Sequence, residues 1–307
     1  MQRLHIHEVV TRDGFQIEPQ FVPTEQKIAL IDALSKTGLA KIEVTSFVSP
    51  QAVPNLADAE AVSAGIARNP AVRYVGLIAN ARGAERAVAA RLDEVNLVVS
   101  VSETHNRSNV RRSTDASFEG FREIMGGLRA TGVSATGALA TAFGCPFEGD
   151  VPAERVIALA ERYAALGVSG VTLADTTGMA NPRQVMALAS RVRERLPGLE
   201  VALHFHNTRG MGLANVLAGL QAGVDRYEGS LGGLGGCPFA PGATGNICTE
   251  DLAHMLEAMG YETGVSLDRL LAAARRLREI VGHELPGQVI KAGKSTDLHP
   301  APAALRA

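Results

Sequence analysis

Residues 201–229 read VALHFHNTRGMGLANVLAGLQAGVDRYEG, and the architecture of the chain follows from them. Val201-Ala202-Leu203 is an apolar run of the kind a buried strand requires. Met211–Ala222 carries its apolar residues at helical spacing and stops at Gly223, and Val224–Glu228 is again strand-like. Strand, helix and strand in so short a span make a βαβ unit, in which the helix is the crossover that parallel pairing needs. His204 and His206 stand two apart at the end of the first strand, so their side chains share a face. They read either as a pair of ligands for a divalent cation or as hydrogen-bonded histidines at a barrel mouth.

The same alternation extends outward over the chain. Strand-like runs fall at Leu4–Val10, Lys41–Thr45, Arg73–Ile78, Glu94–Val101, Ser134–Thr141, Gly170–Leu173, Leu199–Leu203 and Val224–Glu228. Helical spacing fills the segments between them, as at Thr24–Lys36 (Thr24 as N-cap, Gly38 beyond its end), Ala153–Leu166 and Pro182–Arg195, and continues at Thr249–Met259. Eight alternations with right-handed crossovers close most economically into a (β/α)8 TIM barrel. The expectation is one barrel domain over residues 1–307 with a helical extension from about 264. That extension begins with an amphipathic helix at Ser266–Val281, and the chain turns irregular past Gly282.

Composition narrows the function. The chain has 307 residues, 46% hydrophobic and 20% charged, as expected of a soluble enzyme. A net charge of −2 without a basic tract, and the absence of Trp, argue against a nucleic-acid partner. Three cysteines (Cys145, Cys237, Cys248) are no disulfide framework and suit a reducing cytoplasm. The N-terminus shows no signal-peptide pattern, and no apolar run approaches the roughly 20 residues of a membrane span.

Barrel enzymes carry their chemistry at the C-terminal ends of the strands. Arg12 and Asp13 follow strand one, Glu43 and Ser46 end strand two, and Asp175 follows strand six. His204 and His206 end strand seven, and Cys237 and Asn246 follow strand eight. All these chemically loaded residues therefore fall on one rim. Asp13 is the natural anionic ligand to join the histidines, and Arg12 would face a developing oxyanion. Glu43 is a charge on an apolar strand and needs a partner, most simply Arg12. Cys237, in a glycine-dense loop near a cationic site, is poised as a proton donor or nucleophile, whereas Cys145 and Cys248 read as packed. No Cys-x-x-Cys pair, Gly-x-Ser-x-Gly elbow or phosphate-binding glycine motif is present.

Several of these stretches resemble the 3-hydroxy-3-methylglutaryl-CoA lyase family of metal-dependent barrel lyases. They are Arg12-Asp13-Gly14-Phe15-Gln16, Ile42-Glu43-Val44-Thr45-Ser46-Phe47-Val48-Ser49-Pro50, Gly144-Cys145-Pro146-Phe147-Glu148-Gly149 and Asp175-Thr176-Thr177-Gly178. His204-Phe205-His206 and Gly233-Leu234-Gly235-Gly236-Cys237-Pro238 through Gly245-Asn246 complete the set, the last being the most specific. The resemblance implies a retro-Claisen cleavage of a 3-hydroxyacyl-CoA to acetyl-CoA and a keto acid. It implies Asp13, His204, His206 and Asn246 as ligands of Mg²⁺ or Mn²⁺, with Zn²⁺ as a third candidate. Arg12 would stabilise the thioester enolate, Cys237 would act in acid/base chemistry, and Glu43 would support the site. Arg12, Gln16, Ser46, Asn109 and Asp175 are expected at the substrate, and a homo-oligomer (dimer or tetramer) is expected. The rivals are a Claisen-type synthase or aldolase of the same superfamily and, more remotely, a non-catalytic binding barrel, which predicts a broken rim.

The departures from the family's pattern concentrate around the substrate. Val10-Thr11 stands where the family usually has Gly-Pro, and Phe15-Gln16-Ile17-Glu18-Pro19 where it reads Leu-Gln-Asn-Glu-Lys. If that Lys serves the CoA phosphates, the contact here comes from elsewhere. Thr136 and Ala138 replace a larger Arg and Tyr, which would open the pocket, and Arg209 follows Asn207-Thr208.

Overall fold

A computed structural model describes residues 2–236 and 245–300. Its eight parallel strands are β1 (His5–Glu8), β2 (Lys41–Ser46), β3 (Arg73–Ile78), β4 (Glu94–Ser100), β5 (Ser134–Ala140), β6 (Gly170–Asp175), β7 (Glu200–Phe205) and β8 (Arg226–Gly229). Each pairs with the next, and β1 pairs with β8, so the sheet closes as the (β/α)8 reading expects. Around it run α1 (Thr24–Leu34), α2 (Ala59–Gly65), α3 (Ala81–Ala89), α4 (Glu103–Val110), α5 (Thr114–Leu128), α6 (Ala153–Leu166), α7 (Pro182–Arg195) and α8 (Gly212–Gln221). After β8 come α9 (Thr249–Ala258), α10 (Leu267–Val281) and α11 (Val289–Ala292).

The core lies between the barrel and this ring. Leu97, Leu139, Leu173, Leu203 and Phe205 are fully buried there, each contributing about 1.5–3 kcal/mol of burial. Gly137 on β5 shows how tightly the layers meet, because a Cβ there would stand 2.6 Å from the Tyr163 ring of α6. Tyr163 uses that space to donate its hydroxyl proton to the Leu97 carbonyl at 2.7 Å. The inside of the barrel is polar where most such barrels are aliphatic. Glu94 accepts from Lys41 at 2.5 Å and from Thr136 at 3.1 Å, and pairs with Arg73 at 3.2 Å.

Several boundaries move for identifiable reasons. β1 stops at Glu8 because the Asp13 and Gly14 N–H groups both turn back to the Val9 carbonyl (2.7 and 3.4 Å), the second spanning five residues and winding Val10–Gly14 into a π-helical turn. β8 starts two residues late because the Val224 N–H is still bonded to Gly219. Thr24 is the first residue of α1 and not its cap. Pro23 occupies the cap, and the Thr24 hydroxyl donates to Asp58 at 2.8 Å. The segment past Gly282 contains the short helix α11, held by Asp251, whose carboxylate accepts from the Gln288 and Val289 N–H groups.

Candidate active site

Three ligand atoms converge at the C-terminal mouth of the barrel. Those of Asp13, His204 and His206 all lie within 4.8 Å of one another, and all three residues are buried. The π turn delivers Asp13, since one extra residue per turn re-aims a side chain without breaking the chain. β7 delivers the histidines on a shared face, with ring centroids 5.1 Å apart.

Asn246 lies against this group. It pairs with His206 in an isolated antiparallel bridge, and its Nδ2 donates to Asp13 Oδ2 (2.7 Å) and the Leu234 carbonyl (2.9 Å). That pinning turns Oδ1 the other way, where it is buried without a hydrogen-bond partner. An orphaned buried amide oxygen, on a residue bonded to Asp13 and bridged to His206, is one that a divalent cation would satisfy. Gly235 makes the approach feasible. It sits at φ +114°, and a Cβ there would come within 2.4 Å of Asn246 Nδ2.

The charges around this group are held in place. Arg12 Nε donates to Glu43 Oε2 and its Nη1 to Asp13 Oδ1, both at 2.5 Å, so the partner expected for Glu43 is found. Asn96 Nδ2 donates to the other Glu43 oxygen at 3.1 Å. A bulge in β2 at Glu43/Thr45 adjusts the register beside this pair. Burial opposes the Asp13 charge, but Arg12, His204 and His206 outweigh it and hold the carboxyl at about 2. Burial also opposes the Arg12 charge, and Glu43 and Asp13 keep it firmly a cation.

Two groups of residues important to the site escape a reading of the sequence. Glu228, at the end of β8, lies 3.0 Å from His204 Nδ1 and accepts from Thr172 at 2.9 Å. Burial pushes its carboxyl up, yet His204 pulls it down to about 2. This carboxylate–imidazole pair orients the His204 ring and would leave Nε2 free to hold a metal ion. The signal is the one that marks Glu43, a lone acid on the inner face near a strand end. Its neighbours Asp225 and Arg226 make it look like a solvated edge. Glu228→Gln is expected to weaken Mn²⁺ binding by roughly 10–100-fold while the fold survives, checked by titration of the metal-free protein. Unchanged affinity would remove Glu228 from the site.

The second group anchors the glycine loop. Glu8 Oε1 accepts from the Leu231 N–H at 2.9 Å, and Glu250 Oε2 from the Gly232 N–H at 3.0 Å. Burial raises Glu8 to about 7 and Glu250 to about 8, and the two acids repel each other. Folded-state values above the unfolded ones mean that stability is full below about pH 4.5. It is lost as the pH rises through 7 to 8, since the unfolded chain sheds those protons first. Glu250→Gln, which keeps the acceptor, is expected to shrink the loss of unfolding free energy between pH 5 and 8.5. The reduction, read by denaturant titration, should be on the order of a few kcal/mol, each tenfold change in proton affinity being worth about 1.4 kcal/mol. An equal pH dependence in variant and parent would contradict the assignment.

The remaining expected residues divide. Gln16, Ser46 and Asn109 line one cavity of about 660 Å³ with Arg12, Asp13, His204 and His206. Asp175 does not face it. Its Oδ1 accepts from the Met179 and Ala180 N–H groups, and neighbouring Ala174 and Thr176 form the wall. Cys237 lies outside the described residues. Cys145 is packed, 3.0 Å from the Ser102 hydroxyl, and Cys248 is buried. Ala138 lines the cavity, whereas Thr136 sits in the layer beneath, bonded to Glu94. Phe15 is buried in the core, Ile17 is exposed, and Arg209 donates to the Thr177 and Gly178 carbonyls, so none of them lines the space at Ala138.

With this geometry in hand, comparison with known proteins is decisive. The HMGL-like family model matches residues 3–277. The chain belongs to the HMGL-like family. Among its HMGL-like relatives, the hydroxymethylglutaryl-CoA lyase YngG of Bacillus subtilis is 44% identical over 96% of this chain and 99% of its own. The (R)-citramalyl-CoA lyase of Chloroflexus aurantiacus is 41% identical over 95% of this chain and 96% of its own. A solved HMG-CoA lyase from Acinetobacter baumannii, in complex with coenzyme A and 3-methylmalate, superposes with a TM-score of 0.94 at 52% identity. It covers 97% of this chain and 98% of that one. Among the described residues no helix is long and apolar enough to cross a membrane.

Proposed function

We propose that this protein is a divalent-metal-dependent carbon–carbon lyase. It would cleave 3-hydroxy-3-methylglutaryl-CoA or a related 3-hydroxyacyl-CoA to acetyl-CoA and a keto acid, acetoacetate for the parent compound. The observation that carries the reading is the Asp13–His204–His206 cluster with Arg12 bonded directly to it, at the base of a cavity large enough for an acyl-CoA tail.

Asp13, His204, His206 and Asn246 would hold Mg²⁺ or Mn²⁺. The ion, when bound, lowers the pKa of a ligated hydroxyl and polarises an acyl oxygen. Arg12, fixed by Glu43 and Asp13, presents its guanidinium to the thioester oxygen. There it stabilises the charge that develops as the C2–C3 bond breaks. Glu43 keeps that guanidinium from swinging away, and Asn96 holds Glu43. A base takes the hydroxyl proton, the C3–O bond becomes the carbonyl of the keto acid as the C2–C3 electrons pass to the acetyl unit, and return of a proton to C2 completes the release. Cys237 is the proposed acid/base group for this transfer, by resemblance to the family. Cys237→Ser is expected to lose most turnover while Cys145→Ser keeps it, and full activity of the first variant would remove it from the mechanism. A cytoplasmic homo-oligomer is part of the same proposal.

The small Ala138 wall favours a second substrate of the same reaction class with a larger group at C3, and the (R)-citramalyl-CoA lyase is a relative named for a different acyl group. Unfilled apolar space costs affinity, so a different branch at C3 would use it better. The test is a panel of 3-hydroxyacyl-CoA thioesters with Mg²⁺ or Mn²⁺, scored for acetyl-CoA release. A relative of the methylglutaryl compound is expected to show the highest kcat/KM. A clear margin for the methylglutaryl compound would refute the pocket argument, and no cleavage of any member would refute the lyase reading.

A further inference from the structure

We infer that Arg111 and Arg112, at the junction of α4 and α5, form the phosphate-binding end of the substrate cavity. The inference rests on the lyase reading for the identity of the ligand. The two residues line the same cavity as Asp13, His204 and His206, so one continuous space runs from the reacting centre to a pair of guanidiniums. Both are exposed, and neither meets a carboxylate among the described residues. The adjacent cations differ. Arg107 is paired with Glu103 at 2.9 Å and Arg86 with Glu60 at 2.5 Å. The acids nearest the junction in sequence are also engaged, since Asp115 pairs with Arg162 at 2.8 Å and Glu103 accepts from Arg107 and from the Thr114 N–H and hydroxyl. The acids lining the cavity, Asp13 and Glu228, are neutralised deep in the site by Arg12 and His204.

The chain presents the two arginines by a definite device. α4 ends with Arg111 in the left-handed conformation (φ 57°), and Asn106 fixes the turn by donating to the Arg112 carbonyl at 2.9 Å. Arg112 rests over Gly120 of α5, where an added Cβ would lie 3.5 Å from its Nη1. Neutral hydrogen-bonding groups (Ser49, Asn80 and Asn109) line the same cavity. An unpaired, exposed guanidinium pair suits phosphate, which accepts two parallel N–H bonds from each planar fork. In coenzyme A the phosphates sit at the far end of the molecule from the thioester, so a cavity lined both by the reacting centre and by these arginines can meet both groups. The arginines would thus supply the cation that Pro19 cannot where the family carries Lys.

The test is calorimetric binding of free coenzyme A, dephospho-coenzyme A and pantetheine to the intact protein, without turnover. Arg111→Ala/Arg112→Ala is expected to weaken coenzyme A by on the order of 10–100-fold and to lower the salt dependence of its Kd. Pantetheine, which carries no phosphate, should change less than twofold. Arg111→Lys/Arg112→Lys should recover part of the loss, and Arg122→Ala, outside the cavity, should bind as the parent does. A loss confined to coenzyme A would assign the pair to the 3′-phosphate, and a loss shared with dephospho-coenzyme A to the diphosphate. Coenzyme A affinity within twofold of the parent, or an equal loss for pantetheine, would overturn the inference while leaving the lyase reading intact. No binding of coenzyme A by the parent protein would overturn both.

Discussion

Arg12→Gln is expected to lower kcat by roughly 3–5 kcal/mol of transition-state stabilisation, with a small effect on KM. The guanidinium is already ordered by Glu43 and Asp13, so no reorganisation is needed when charge appears on the thioester oxygen. Its removal also strands two buried carboxylates, a second route to inactivity that must be separated from the first. Arg12→Gln/Glu43→Gln removes one of those stranded charges. If Arg12 acts on the transition state, the double variant regains stability but not kcat. A rate restored with stability would make Arg12 a scaffold for the rim. A change confined to KM would make it a ground-state binding residue.

The second large effect concerns the cation. His204→Ala removes a proposed ligand, the imidazole that Glu228 orients. Mn²⁺ affinity and turnover are both expected to fall by on the order of a thousandfold, since ligation and Lewis-acid activation are each worth several kcal/mol. Electron paramagnetic resonance of added Mn²⁺ reads the site directly. A bound signal identical to the parent's would place the ion elsewhere.

Much of this arrangement is legible in the chain. The alternation of strand-like runs and helical spacing places every strand to within a few residues, because each strand carries apolar residues on the face buried against the helices. Residues emerging at strand ends must share a rim in a barrel, so Arg12, Asp13, Glu43, His204 and His206 can be grouped from their positions in the sequence. Missed positions owe their roles to long-range contacts that a local reading does not reveal. Glu228 gains its role from Thr172 and His204 on other strands, and Glu8 from a turn 223 residues away. Thr136 and Arg209 look like pocket residues by position. Their hydrogen bonds, to Glu94 and to the β6 loop carbonyls, take them elsewhere.

The most direct measurement is acetyl-CoA release from 3-hydroxy-3-methylglutaryl-CoA and citramalyl-CoA by protein stripped of metal, before and after Mg²⁺ or Mn²⁺ is restored. No release is expected from the stripped protein, with recovery on adding either ion and no recovery in Asp13→Ala. Full activity in protein shown to be metal-free, or no acetyl-CoA from either thioester with the metal bound, would contradict the metal-dependent lyase reading.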